Sequence, residues 1–103
     1  MKAAVIYENG GPEALRYEEL PEPVCGPGQV LIEVEAISLE GGDLLQRAAV
    51  PPPSVPHVVG YQCAGTIIEC DPRVTQLSLG QRVVTVGPFG SHASRRVVAA
   101  ALA

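Results

Sequence analysis

Tryptophan is absent from the chain, and phenylalanine and methionine occur once each. With only three tyrosines besides, a core has to be built from small aliphatic and β-branched side chains. No apolar run approaches the roughly 20 residues of a membrane-spanning helix. The N-terminal MKAAVIYENGG has one lysine and then five apolar residues, against roughly 7–15 in a secretory core. No signal peptide is therefore read, and a cytoplasmic protein is expected. Basic clusters are also missing: Arg95-Arg96 is the only adjacent pair, and 11 acidic residues against 7 basic give a net charge of −4. Nucleic-acid binding, which needs clustered cations to neutralise phosphates, is not expected. The cysteines are three (Cys25, Cys63 and Cys70) with no C-x-x-C, so no disulfide framework is expected and they read as small buried hydrophobes.

What the chain does have is proline, glycine and aliphatic residues. Hydrophobic residues make up 47% of its 103 positions, and the mean hydropathy is +0.21. A domain of this size buries only about 60–70% of the surface its unfolded chain exposes. Apolar residues are therefore expected on the surface, and a contiguous patch of them marks an interface. A partner or a missing domain is the expected cover.

Eleven glycines and ten prolines punctuate short runs of β-formers. KAAVIY (2–7) and LRYEEL (15–20) read as strands around the turn Asn9-Gly10-Gly11-Pro12. In VLIEVEAIS (30–38), Val30, Ile32, Val34 and Ala36 share one face, and Glu33 and Glu35 the solvated other. Leu31 hints that the second face is partly covered. Asp43 is placed to cap a short helix over 44–49, with Leu44, Leu45 and Ala48 at helical spacing. VPPPSVPH (50–57) reads as a stiff extended loop. YQCAGTIIE (61–69), RVVTV (82–86) and HASRRVVAA (92–100) complete about six strands, and Gly65 inside one of them suggests close approach of another backbone. The fold class is mainly β, a small barrel or sandwich with at most one or two short helices. The chain ends at VVAAALA without a polar tail and reads as cut off.

Six stretches, in order, carry a family resemblance: MKAAVIYENGGPEALRYEELPEP, PGQVLIEVEAIS, GGDLLQR, PHVVGYQCAGTIIE, VTQLSLGQRVVTV and GSHASRRVVAA. Together they resemble the GroES-like N-terminal (alcohol dehydrogenase-like) domain of the medium-chain dehydrogenase/reductase superfamily, in its zinc-free quinone oxidoreductase branch. The resemblance implies a GroES-like, partly open β-barrel over residues 1–103, forming the substrate side of a cleft. It also implies that the chain is incomplete, with a Rossmann domain for NADPH or NADH lying elsewhere. No G-x-G-x-x-G or G-x-x-x-x-G-K-[ST] occurs here. In the full-length form a homodimer is implied, with the dimer contacts outside this chain.

The same resemblance points to cleft residues. Zinc-dependent relatives have Cys, His and Glu at the positions of Glu40, Tyr61 and Gln62. Catalytic zinc takes three protein ligands from Cys, His, Asp or Glu, so no zinc is expected. Tyr61 and Gln62 become candidate donors to a substrate carbonyl. Glu40 lies where quinone reductases usually carry Asn near the nicotinamide, a weak cofactor-side candidate whose other reading is a solvated acid before a helix. Leu45 stands where relatives often have Tyr, and His92 matches an aromatic position. Arg47 is placed to pair with Asp43 or Glu40 across one helical turn. His57, Cys63, Cys70 and His92 are too scattered to form a new metal site. The expected activity is hydride transfer to a quinone or enone, with the isolated chain inactive. The alternatives are a stand-alone GroES-like binding or co-chaperonin module, or an inactive truncated domain.

Overall fold

The structure, a computed structural model, describes all residues from Met1 to Ala103. Seven strands form two open antiparallel sheets, and neither closes into a barrel. The first sheet has β1 (Lys2–Ile6) in the centre, flanked by β2 (Arg16–Glu19) and β4 (His57–Val58). The second runs β6 (Arg82–Val86), β5 (Gln62–Cys70), β3 (Gln29–Ile37), β7 (Arg95–Ala99). One helix, α1 (Gly41–Ala49), connects β3 to the proline-rich segment before β4.

The central pair of the larger sheet is β3–β5. Val30, Leu31 and Ile32 are all buried, as the apolar run predicts for a strand covered on both faces. Val30 and Ile32 form the core with Ile67 of β5 and Val98 of β7. Register shifts fall at Leu31/Ile32 and Val34/Ala36. These bulges interrupt the period-2 alternation. Ala36 is consequently exposed, although simple alternation puts it on the face of Val30 and Ile32. Glu33 and Glu35 are exposed as expected, and Glu35 accepts from Thr66 Oγ1 (2.7 Å) and Arg82 (3.1 Å).

Gly65 of β5 pairs with Val34 across the β3–β5 ladder. A Cβ there would overlap the Glu33 carbonyl and lie 2.8 Å from Ile32 Cγ2. The interior glycine is thus a requirement of strand-to-strand approach.

The run 92–100, expected as one strand, divides its pairing between the sheets. Residues 92–94 bond to β1, with Ala4 N–H donating to His92 O and Ser94 N–H to Lys2 O, both 2.9 Å. Residues 95–99 then pair with β3. The second, smaller core (Ala3, Val5 and Ala93) sits at this crossing. The segment 50–57 is bent rather than extended, and its last residue, His57, opens β4 and pairs with Ile6 of β1. A two-residue strand behind four prolines has no periodicity to reveal it.

Asp71, after β5, fastens the turn before β3. Its Oδ2 accepts the Gly28 N–H at 2.6 Å, and its own N–H donates to Gln29 O at 3.1 Å. The Gly28 N–H, with Arg73 beside it, holds the Asp71 carboxyl below the usual range.

Two predictions follow from these contacts. Gly65→Val is expected to lower stability by about 2–3 kcal/mol, because the β-branched side chain meets backbone that cannot move aside. Urea unfolding reads this, and an unchanged midpoint would contradict the close approach. The depressed Asp71 carboxyl stabilises the fold in its ionised form. That contribution is complete above the ordinary aspartate range, near pH 4, and is lost as pH falls through the lower folded value. Asp71→Asn is therefore expected to flatten the acid limb of stability against pH. A limb as steep as that of the wild type would remove Asp71 as its source.

Candidate active-site wall

Helix α1 starts earlier than Asp43 alone predicts. Glu40 is its N-cap, with extended backbone (φ −111°, ψ 152°), and Asp43 occupies the third helical position. From there Asp43 Oδ2 accepts the Glu40 N–H at 2.8 Å, the backward reach of a capping box. Gly41 and Gly42, weak helix formers, are thereby included in the first turn.

Glu40 is half-buried, not the freely solvated acid that its place before a helix suggests. Its Oε1 accepts from Ser38 Oγ at 2.9 Å and from Gln62 Nε2 at 3.0 Å. Glu40 and Gln62, separated by 22 positions, thus share one hydrogen bond across the gap between α1 and β5.

Tyr61 precedes β5, and the hydroxyl end of its ring packs against the helix start. A Cβ on Gly42 would fall 2.5 Å from its Cε2 and 2.6 Å from its Cζ. Its hydroxyl accepts from Gln46 Nε2 at 3.3 Å. His92 is buried, and its Nε2–H donates to Ser38 O at 3.0 Å, with Asp43 Oδ2 at 3.9 Å. The ring rests on Gly60, whose φ of +105° and lack of Cβ both serve that approach. Four backbone bonds along 87–92 (Gly87 to Tyr61, Gly90 to Val58, Ser91 to Gly60, His92 to Val59) fix His92 beside the segment that carries Tyr61.

Glu40, Gln62, Tyr61 and His92 therefore gather around the first turn of α1. Leu45 remains on the helix at 64% exposure. No residue of α1 is buried, and Leu44 and Leu39 are exposed beside it. Arg47 does not pair with Asp43 or Glu40; its Nε donates to Gly10 O at 3.4 Å. The sequence reading missed Ser38, which joins Glu40 to His92, and Asn9. Asn9 Nδ2 lies 3.1, 3.2 and 2.7 Å from the carbonyls of Gln46, Arg47 and Val50, capping the far end of the helix. Asn9 showed only as a turn residue, because its helix is 37 positions away. One oxygen, Asp43 Oδ1, is buried without a partner.

Two mostly apolar grooves share Ile37 in their walls. One, of about 210 Å³, is lined by Gln62, Ala64 and Val84; the other, of about 380 Å³, by Leu15, Tyr17, Leu39 and His92.

The donor set here does not fit a catalytic zinc. Glu40 is the only conventional ligand of its three positions, and its Oε1 already takes two hydrogen bonds. No three His, Cys, Asp or Glu side chains converge anywhere in the chain. His57 is buried in β4 with its ring 4.8 Å from that of Phe89, and burial pushes its pKa down. Nor is there a glycine-rich strand-turn-helix cradle for a dinucleotide.

Two open antiparallel sheets, a corner strand shared between them and a capped helix beside the larger sheet define a GroES-like β domain. Residues 26–100 match the alcohol dehydrogenase GroES-like domain, and the chain belongs to that family. It is 38% identical to a 2-haloacrylate reductase of a Burkholderia species over 100 residues, 92% of this chain and 30% of that protein. Its fold is similar to that of the quinone oxidoreductase of Pseudomonas syringae pv. Tomato DC3000, with a TM-score of 0.92 at 30% identity, over 98% of this chain and 32% of that one. The Escherichia coli quinone oxidoreductase, solved in complex with NADPH, gives the same TM-score at 26% identity, over 99% and 32%. The chain thus spans about a third of the length of these relatives.

Gly42→Ala tests the packing of Tyr61. Alanine improves the helix by about 0.5–1 kcal/mol, but the overlap with the ring costs about 1–3 kcal/mol. Net destabilisation is expected, turning to stabilisation in a Tyr61→Ala background. A stabilising Gly42→Ala in the presence of Tyr61, measured by urea unfolding, would contradict the contact.

Proposed function

We propose that the chain is the substrate-side wall of an NADPH-dependent, zinc-independent reductase acting on quinones, enones or related activated carbonyl compounds. The observation that carries the reading is the state of Tyr61. Its hydroxyl oxygen accepts from the Gln46 amide, and its own proton is committed to no acceptor in the chain. A positioned donor lowers the barrier where negative charge develops on a carbonyl oxygen, the role a metal fills in zinc-dependent relatives.

Gln62 is turned toward Glu40 and holds that carboxylate against Ser38. An unshielded carboxylate beside a nicotinamide favours its oxidised, cationic ring. Two donors on one oxygen partly offset the charge of Glu40. The apolar grooves beside Ile37 suit a ligand with a hydrophobic body and one polar oxygen. NADPH, bound chiefly by a domain outside this chain, supplies the hydride. The exposed Leu39, Leu44 and Leu45 suit cover by such a domain.

The test is a chimera carrying residues 1–103 in place of the matching segment of the Pseudomonas syringae quinone oxidoreductase. It is expected to oxidise NADPH with a quinone or enone as acceptor. Tyr61→Phe is expected to lower kcat/KM for the acceptor about tenfold, or about 1.4 kcal/mol, with KM for NADPH unchanged. An unchanged kcat/KM would remove Tyr61 from the chemistry. Separately, the isolated chain is expected not to bind NADPH; low-micromolar binding in a fluorescence titration would overturn the division between domains.

A further inference from the structure

At the opposite end of β5 from Tyr61, two of the three cysteines come together. Cys25 and Cys70 are both free, both half-buried, and line one open cavity of about 280 Å³ with Glu69, Asp71 and Arg73. The third, Cys63, is 2% exposed in the sheet.

The backbone brings the pair together firmly. Val30 faces Cys70 across the β3–β5 ladder. The carbonyl of Gln29, next to Val30, accepts the Asp71 N–H at 3.1 Å and the Cys25 thiol also at 3.1 Å. A tight turn closes Gly26 to Gln29 (3.2 Å), and Asp71 Oδ2 holds Gly28 at 2.6 Å. Cys25 thus sits one hydrogen bond from the carbonyl that joins β3 to the residue after Cys70. The Cys70 sulfur has only long contacts, 3.6 Å to Asp71 O and 3.9 Å to Val74 O, so it is lightly held.

From this placement we propose that Cys25 and Cys70 form a reversible, peroxide-sensitive dithiol, closing to an intramolecular disulfide that ties the proline-rich segment before β3 to the end of β5. Hydrogen peroxide takes two electrons from one thiolate, giving a sulfenic acid and hydroxide. The second thiolate then forms the S–S bond and expels the sulfenic oxygen as hydroxide. The protons released by the two thiols convert both hydroxides to water. Burial, with Glu69 next in effect, pushes the Cys25 thiol up, and Cys70 is among the groups near enough to act on it. Cys70, whose sulfur is held only by long contacts, is the sulfur oxidised first, and Cys25, bonded to the Gln29 carbonyl, is the one that resolves it.

The test treats the folded chain with hydrogen peroxide, digests it without reduction and maps the linked peptides by mass spectrometry. Expected are a Cys25–Cys70 peptide pair, reversal by dithiothreitol, and two thiols lost while Cys63 stays free. The same treatment in denaturant is expected to scramble the pairing and to include Cys63. Cys70→Ser is expected to abolish the link, and Cys25→Ser to leave a sulfenic acid at Cys70 that a dimedone probe traps. Chain-to-chain dimers in place of the internal link would overturn the proposal. So would over-oxidation of either cysteine without a link, or equal consumption of Cys63 in the folded chain.

Discussion

The arrangement of this domain depends on one short run that changes sheets. Residues 92–94 hydrogen-bond to β1, and residues 95–99 then pair with β3. Without that corner, the three-stranded sheet has no backbone link to the four-stranded one through this run. The consequences converge at the first turn of α1. His92 is the first residue of the corner, and its ring reaches back to Ser38 at the end of β3. Ser38 in turn holds Glu40, the cap of α1. The helix start, the sheet ends and the corner thus form one polar-bonded unit, set among side chains that are mostly apolar.

Most of the strands were legible from local chemistry. Runs of β-formers between glycine and proline turns placed β1, β2, β3, β5 and β6 within a residue or so of their observed ends. Local pattern failed where pairing is non-local. β4 is two residues long and exists because Ile6 and Val5 are opposite it. The division of 92–100 between two sheets leaves no trace in the alternation of its side chains. The helix boundary moved because Asp43 caps from inside the first turn, a role open to an acid at the third position as well as at the cap.

The candidate site was legible in position and not in connection. Glu40, Tyr61, Gln62 and His92 were picked out by comparison with a family pattern. That Gln62 donates to Glu40, that Tyr61 rests on Gly42 and that His92 rests on Gly60 are tertiary facts. In retrospect, a partial signal lay in the glycines. Gly42, Gly60 and Gly65 each stand where a Cβ would strike a named neighbour, so a glycine outside a turn was the available hint of close packing.

The pairing of the first strand with residues near position 93 also sets an order of events during synthesis. Lys2 bonds to Ser94, 92 positions later. At roughly 5–20 residues per second, β1 leaves the ribosome roughly 5–20 s before the segment that bonds to Lys2 and Ala4 exists. Until then its only sequence-near partner is β2, one hairpin away. A domain with so many distant pairings belongs among slow folders, because loop closure precedes the contacts that reward it. Of the seven strands described, β1 emerges first and is among the last to be enclosed.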